Sequence, residues 1–126
     1  MAATRVPTRV LVVDDESLVR RILNQILSSY QDLELVGEAA NGDEAIAAVE
    51  RLQPDIVVMD IRMPALDGIA AAREIRARAP HVKIIGLSEH ATGYNTDAME
   101  RAGVVGVYLK SMALEELYPA IKAVSI

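Results

Sequence analysis

The stretch Asp55-Ile56-Val57-Val58-Met59-Asp60-Ile61-Arg62-Met63-Pro64 decides how this chain is read. A short, wholly apolar run stops at a carboxylate, and the chain beyond it loosens through Pro64 to Asp67-Gly68. Too short for a helix and without alternation, the run reads as a strand buried on both faces and ended by an acid. Taken alone, Asp60 is more simply a turn former or the cap of the next helix. The event is repeated, however. Residues 9–13 run into Asp14-Asp15-Glu16, Val82 to Leu87 into Ser88, and Val104 to Leu109 into Lys110.

Helical patterns fill the intervals. Ser17 to Ser29 carries Leu18, Val19, Ile22, Leu23, Ile26 and Leu27, a stripe wide enough for part of it to face a partner. Leu33 to Ala39 reads as a further strand. Asn41-Gly42-Asp43-Glu44 is a turn whose acids suit a helix N-terminus, and Ala45 to Leu52 follows, shut down by Pro54. Gly68 to Ala79 places Ile69, Ala72 and Ile75 at helical spacing and stops at Pro80. Between the last two strands only Ala98 to Ala102 is convincingly helical, with Gly103 as its stop. The polar segment Thr92 to Asp97 buries so little that it is expected to be the main moving part. The final helix, Ala113 to Val124, offers Leu114, Leu117, Ile121 and Val124, with a kink expected at Pro119.

Five strands alternating with five helices imply an α/β domain, a doubly wound parallel sheet covered on both faces. Right-handed crossovers place every strand C-terminus on one edge, where ligands of such sheets bind. Asp14, Asp15, Asp60, Ser88 and Lys110 are delivered there. Clustered carboxylates without His or Cys suit a hard, oxygen-seeking cation such as Mg²⁺, which also relieves their mutual repulsion. Lys110 adds a fixed positive charge and Ser88 a hydroxyl donor. Together they describe a pocket for a phosphoryl group, with one carboxylate free to act as nucleophile.

Composition narrows the possibilities. The chain has 126 residues, 52% hydrophobic and 25% charged, which suits one domain with an aliphatic core, since Trp and Phe are absent. A net charge of −5 argues against gripping a nucleic-acid backbone. No apolar run approaches the roughly twenty residues of a membrane helix, and Met1-Ala2-Ala3-Thr4-Arg5 lacks a signal core. The lack of cysteine fits a cytoplasmic protein.

Asp14-Asp15, Asp60 within Asp-Ile-Arg-Met-Pro, Ser88 and Lys110 make the chain resemble a receiver domain of the bacterial two-component response regulators over essentially residues 1–126. The resemblance implies a flavodoxin-like sheet of strand order 2-1-3-4-5. It implies that Asp60 accepts phosphate from a histidine kinase. Asp15, Asp60 and the backbone carbonyl of Arg62 would hold Mg²⁺ (or Mn²⁺), with Asp14 acting through water. Lys110 would bind the acyl phosphate, and Ser88 would move to meet it. His90 and the Arg62 side chain are candidates for controlling water there, or else solvated; His81 reads as exposed.

The family's switch aromatic usually stands three residues before the lysine, where this chain has Val107. Tyr108 should point to the opposite face of the sheet, which puts an aromatic switch coupled to Ser88 in doubt. Lys110-Ser111, Gly103-Val104-Val105-Gly106 and Leu117 to Val124 resemble the NarL/FixJ group, transcription regulators with a C-terminal helix-turn-helix. The chain then reads as a receiver whose DNA-binding output domain lies outside it; the alternative is a stand-alone receiver or phosphorelay carrier working by protein contact. Val19, Leu23 and Tyr118 either support a phosphorylation-dependent homodimer or serve the core. A phosphatase of the haloacid-dehalogenase type is disfavoured because Asp60 is followed by Ile61-Arg62, with no second acid two residues on. A flavin binder is disfavoured because acids stand where its phosphate loop would be.

Overall fold

Why the strands read as unbroken apolar runs is visible in their packing. Along β3 (Ile56–Asp60), Val57 and Met59 face one side of the sheet, while Ile56 and Val58 face the other. All five of its residues are buried. The computed structural model describes residues 6–62, 68–89 and 96–125. Expectations for Met63, Pro64 and Asp67, for His90 and for residues 92–95 fall outside those residues.

In chain order the elements are β1 (Thr8–Val13), α1 (Ser17–Ser28), β2 (Leu33–Ala39), α2 (Gly42–Leu52), β3, α3 (Gly68–Arg78), β4 (Lys83–Ser88), α4 (Thr96–Arg101), β5 (Val104–Leu109) and α5 (Ala113–Val124). The strands form one sheet of order β2-β1-β3-β4-β5, parallel throughout. Helices α2, α3 and α4 cover a face cored by Leu11, Val57, Met59, Ile75 and Ile84. The opposite face, cored by Val10, Val12, Val58, Leu87, Leu117 and Ile121, carries α1 and α5. Each such fully buried aliphatic side chain, on strand or helix, contributes roughly 1.5–3 kcal/mol relative to exposure.

Local sequence sets the element ends. The Asn41 side chain accepts from the Glu44 N–H, and Glu44 Oε1 accepts from the Ala40 N–H, both at 2.9 Å. This reciprocal cap starts α2 at Gly42, three residues before the run of alanines suggested. Gln53 closes the helix in the left-handed region (φ 51°) ahead of Pro54. Gly103, at φ +94°, ends the α4 turn, and a Cβ there would meet the Arg76 side chain at 2.8 Å. Pro119 sits on the exposed side of α5, which continues to Val124.

Of the two roles open to Val19, Leu23 and Tyr118, the structure shows the core role: Leu23 is buried, and Val19 and Tyr118 pack against the interior. The apolar side chains that α1 and α5 leave in solvent are Leu18 (62% exposed), Ile22 (46%) and Leu114 (65%). The stripe on α1 is wider than the sheet can cover. Val107 and Tyr108, by contrast, do part as alternation requires: Val107 joins the α2–α3–α4 side and Tyr108 the α1–α5 side.

Candidate phosphoacceptor site

Parallel strands deliver the five predicted side chains to one edge. Asp60 is the last residue of β3, in register with Leu87, and Ser88 is the next residue on β4. Ser88 pairs in turn with Leu109, which immediately precedes Lys110. Asp14 follows the last residue of β1, its N–H donating to the Ala39 carbonyl at 3.1 Å. The close approach of α3 braces the far side of Asp60. A Cβ on Gly68 would lie 2.6 Å from the Asp60 carbonyl oxygen and 2.5 Å from the Ile61 Cα, so only glycine fits.

Asp14 and Asp60 are used in the same way. Each gives Oδ1 to the backbone N–H two residues on, Glu16 for Asp14 and Arg62 for Asp60, both at 2.9 Å. These are the local turns that the sequence alone allowed. Each leaves Oδ2 to the cleft, where Lys110 Nζ stands 2.8 Å from Asp14 and 3.0 Å from Asp60. Each acid thus spends one oxygen on the local turn and turns the other towards Lys110.

The cluster carries more acid than base. Asp14 is fully buried, Asp60 and Ser88 nearly so, while Asp15 is exposed. Carboxylate oxygens of Asp14, Asp15 and Asp60 lie within 4.8 Å of one another. Burial pushes the Asp60 carboxyl above the usual aspartate range, against the pull of the Arg62 N–H and the Lys110 ammonium. Burial pulls Lys110 down, but the carboxylates of Asp14 and Asp60 outweigh it and hold the ammonium above the ordinary lysine range. Although Asp14 Oδ2 is close to Lys110, it lacks a partner in hydrogen-bond geometry. Three acids around one ammonium, with a buried carboxylate oxygen that makes no well-aligned hydrogen bond, fit a divalent cation with oxygen ligands.

A cleft of about 250 Å³ opens beside the cluster, lined by Asp15, Glu16, Asp60, Arg62 and Glu89. Arg62 is therefore at the site, its N–H on Asp60. Glu16 and Glu89 were missed as cleft residues. Glu89 Oε1 lies 3.7 Å from Lys110 Nζ. Their adjacency to Asp15 and Ser88 at strand ends was the available signal. A 3₁₀ turn, Lys110–Met112, was also not foreseen; it leads directly from β5 into α5.

An acid-rich edge on a 2-1-3-4-5 sheet, crossed by one lysine, defines a phosphorylation-dependent switch domain. The chain belongs to the response regulator receiver domain family, whose pattern it matches over residues 10–122. Over 126 residues it is 39% identical to the transcriptional regulatory protein PdtaR of Mycobacterium tuberculosis, covering 96% of this chain and 58% of that one. It is also 37% identical over 111 residues to a protein-glutamate methylesterase/protein-glutamine glutaminase of Methanococcoides burtonii, covering 86% of this chain and 31% of the relative. Its fold superposes on the signal receiver domain of the response regulator NarL from Mycobacterium tuberculosis with a TM-score of 0.89 at 27% identity, covering 96% and 98% of the two chains. The chain spans about half the length of the curated relatives it matches. No helix among the described residues is long and apolar enough to cross a membrane.

Proposed function

We propose that Asp60 accepts a phosphoryl group from a histidine kinase in a Mg²⁺-dependent reaction, and that the phosphorylated state controls a transcriptional output. The observation that carries this reading is the convergence of Asp14 and Asp60 on one ammonium with a third acid, Asp15, beside them. In the transfer, a carboxylate oxygen of Asp60 attacks the phosphorus of a phosphohistidine. A P–O bond forms, the P–N bond breaks, and the imidazole leaves. Lys110 neutralises the phosphoryl oxygens and Ser88 donates its hydroxyl to one of them. Asp15, Asp60 and the carbonyl of Arg62 would hold the metal, with Asp14 behind through water. Mg²⁺, or Mn²⁺ in its place, supplies charge neutralisation between the carboxylates and the incoming phosphoryl group.

The domain is no enzyme towards a separate substrate and catalyses only its own phosphorylation and dephosphorylation. Relatives that are transcriptional regulatory proteins support a transcriptional output, and likeness to a DNA-binding response regulator of the LuxR family from Staphylococcus aureus supports DNA binding through a segment outside residues 1–126, in a cytoplasmic protein. Exposed Leu18, Ile22 and Leu114 support a homodimer formed on phosphorylation. A second reading is a stand-alone receiver or phosphorelay carrier acting by protein contact, which the placing of all the residues proposed for the transfer between Asp14 and Lys110 supports equally. Incubation with Mg²⁺ and acetyl phosphate followed by intact mass tests the reaction. A single phosphoryl adduct is expected on the wild type and none on Asp60→Asn; an equal adduct on both refutes the assignment.

A further inference from the structure

The ladder between β1 and β2 ends at the Val13–Ala39 pair, so the Asp14 carbonyl beyond it needs another donor. Arg20, on the first turn of α1, supplies one: its Nη1 donates to the Asp14 carbonyl at 2.8 Å. The Nε of the same guanidinium donates to Glu38 Oε1 on β2 at 2.9 Å. Glu38 is in register with Val12. Arg20 is only 19% exposed, and it closes a strap from β2 through α1 to the backbone of the acidic turn.

We infer that Arg20 is a positioning residue for the divalent cation, fixing the 14–16 backbone so that Asp14 and Asp15 face Asp60. This rests on the reading that those three acids hold the metal. Asp14 spends Oδ1 on the Glu16 N–H, and Asp15 is exposed, so the aim of both carboxylates follows from the backbone that carries them. Holding that backbone with a cation has an electrostatic cost, because the guanidinium would repel the metal. Glu38 removes it by pairing with Arg20 and making the strap neutral. Two donors set at a fixed angle are needed, one for a carbonyl and one for a carboxylate, which guanidinium offers and a lysine ammonium does not. Residues supporting metal ligands from behind are typically worth ~10–100-fold in affinity.

The test is Mn²⁺ affinity, read from the electron paramagnetic resonance of the free ion without phosphodonor. Wild type is compared with Arg20→Ala, Arg20→Lys, Glu38→Ala, the Arg20→Ala/Glu38→Ala double variant and Asp15→Asn. Amide exchange by NMR in metal-free buffer accompanies each. Arg20→Ala is expected to bind Mn²⁺ about tenfold more weakly. Exchange should quicken at Asp15 and Glu16 and stay unchanged along β3. Arg20→Lys should recover part of the affinity, and the double variant should be no weaker than Arg20→Ala. Unchanged Mn²⁺ affinity in Arg20→Ala, while Asp15→Asn loses it, overturns the inference and leaves the metal site standing. Faster exchange along β3 in step with the lost affinity also overturns it, by showing a general loss of stability. If Asp15→Asn binds as tightly as wild type, the metal reading fails and takes this inference with it.

Discussion

In the turn that leads into α5, Lys110 is wedged between the buried carboxylates of Asp14 and Asp60; towards the far end of that helix, Lys122 meets Asp32 at 2.8 Å in a second lysine–aspartate cluster. Tyr118 donates its hydroxyl to the same Asp32 oxygen at 2.6 Å and stacks on Tyr30, with ring centroids 3.8 Å apart. One ammonium answers one carboxylate there, in contact with water. The hydrogen bonds from Lys122 and Tyr118 hold Asp32 below the usual aspartate range, whereas burial pushes Asp60 above it. The two clusters share their chemistry and differ in balance. The cluster around Asp32 is complete and fastens α5 to the loop before β2. The cluster around Asp60 has surplus acid, three carboxylates to one ammonium, which suits it to a cation and a phosphoryl group.

Removing the lysines should separate the two most sharply. Lys110→Ala leaves two buried carboxylates without their counter-charge and is expected to cost about 3 kcal/mol of unfolding free energy in urea at neutral pH. Added Mg²⁺ should restore part of that loss. Lys122→Ala should move the thermal midpoint only slightly, because an exposed pair is screened and weakly coupled. Equal losses in the two variants would remove the distinction drawn between them.

Of intermediate size is the response of the aspartates to pH. A raised folded pKa at Asp60 means that its stabilisation is present below the ordinary aspartate range and lost as pH rises through the folded value. Metal-free Asp60→Asn should therefore melt a few degrees above wild type at neutral pH, and the gap should close on acidification. Asp32 behaves oppositely. Its depressed pKa gives stabilisation above the ordinary range that fades as pH falls through the folded value. Asp32→Asn should thus lower the midpoint at neutral pH by the smallest amount of the set, and the difference should vanish in acid. Thermal melts of both variants across pH check the two signs together.

How much of this was legible in the sequence follows from where the information lies. Strands buried on both faces, β3 above all, announce themselves as apolar runs, and the half-exposed edge strands β2 and β5 begin and end at the residues read from sequence. The opposite facing of Val107 and Tyr108 followed from strand alternation alone. Helix α1 was harder. Its stripe of six apolar residues exceeds what one face can bury, so sequence could not say that Leu23 goes inside and Leu18 outside. The acids, hydroxyl and lysine of the site were found because each ends a strand in sequence. Arg20 and Glu38 were not, because their link depends on the β1–β2 register, which includes a shift between Val10 and Leu11. Nor did the sequence reveal that Asp14 and Asp60 divide their oxygens between turn and cleft.

The central claim is that the incomplete cluster, and Asp60 within it, receives the phosphoryl group. Borohydride reduction of the protein after incubation with Mg²⁺ and acetyl phosphate converts an aspartyl phosphate to homoserine, which peptide sequencing by mass spectrometry then locates. Homoserine at position 60 alone is the predicted result; homoserine at position 14 or 15, or at none of the three on a protein that carries the adduct, would contradict it.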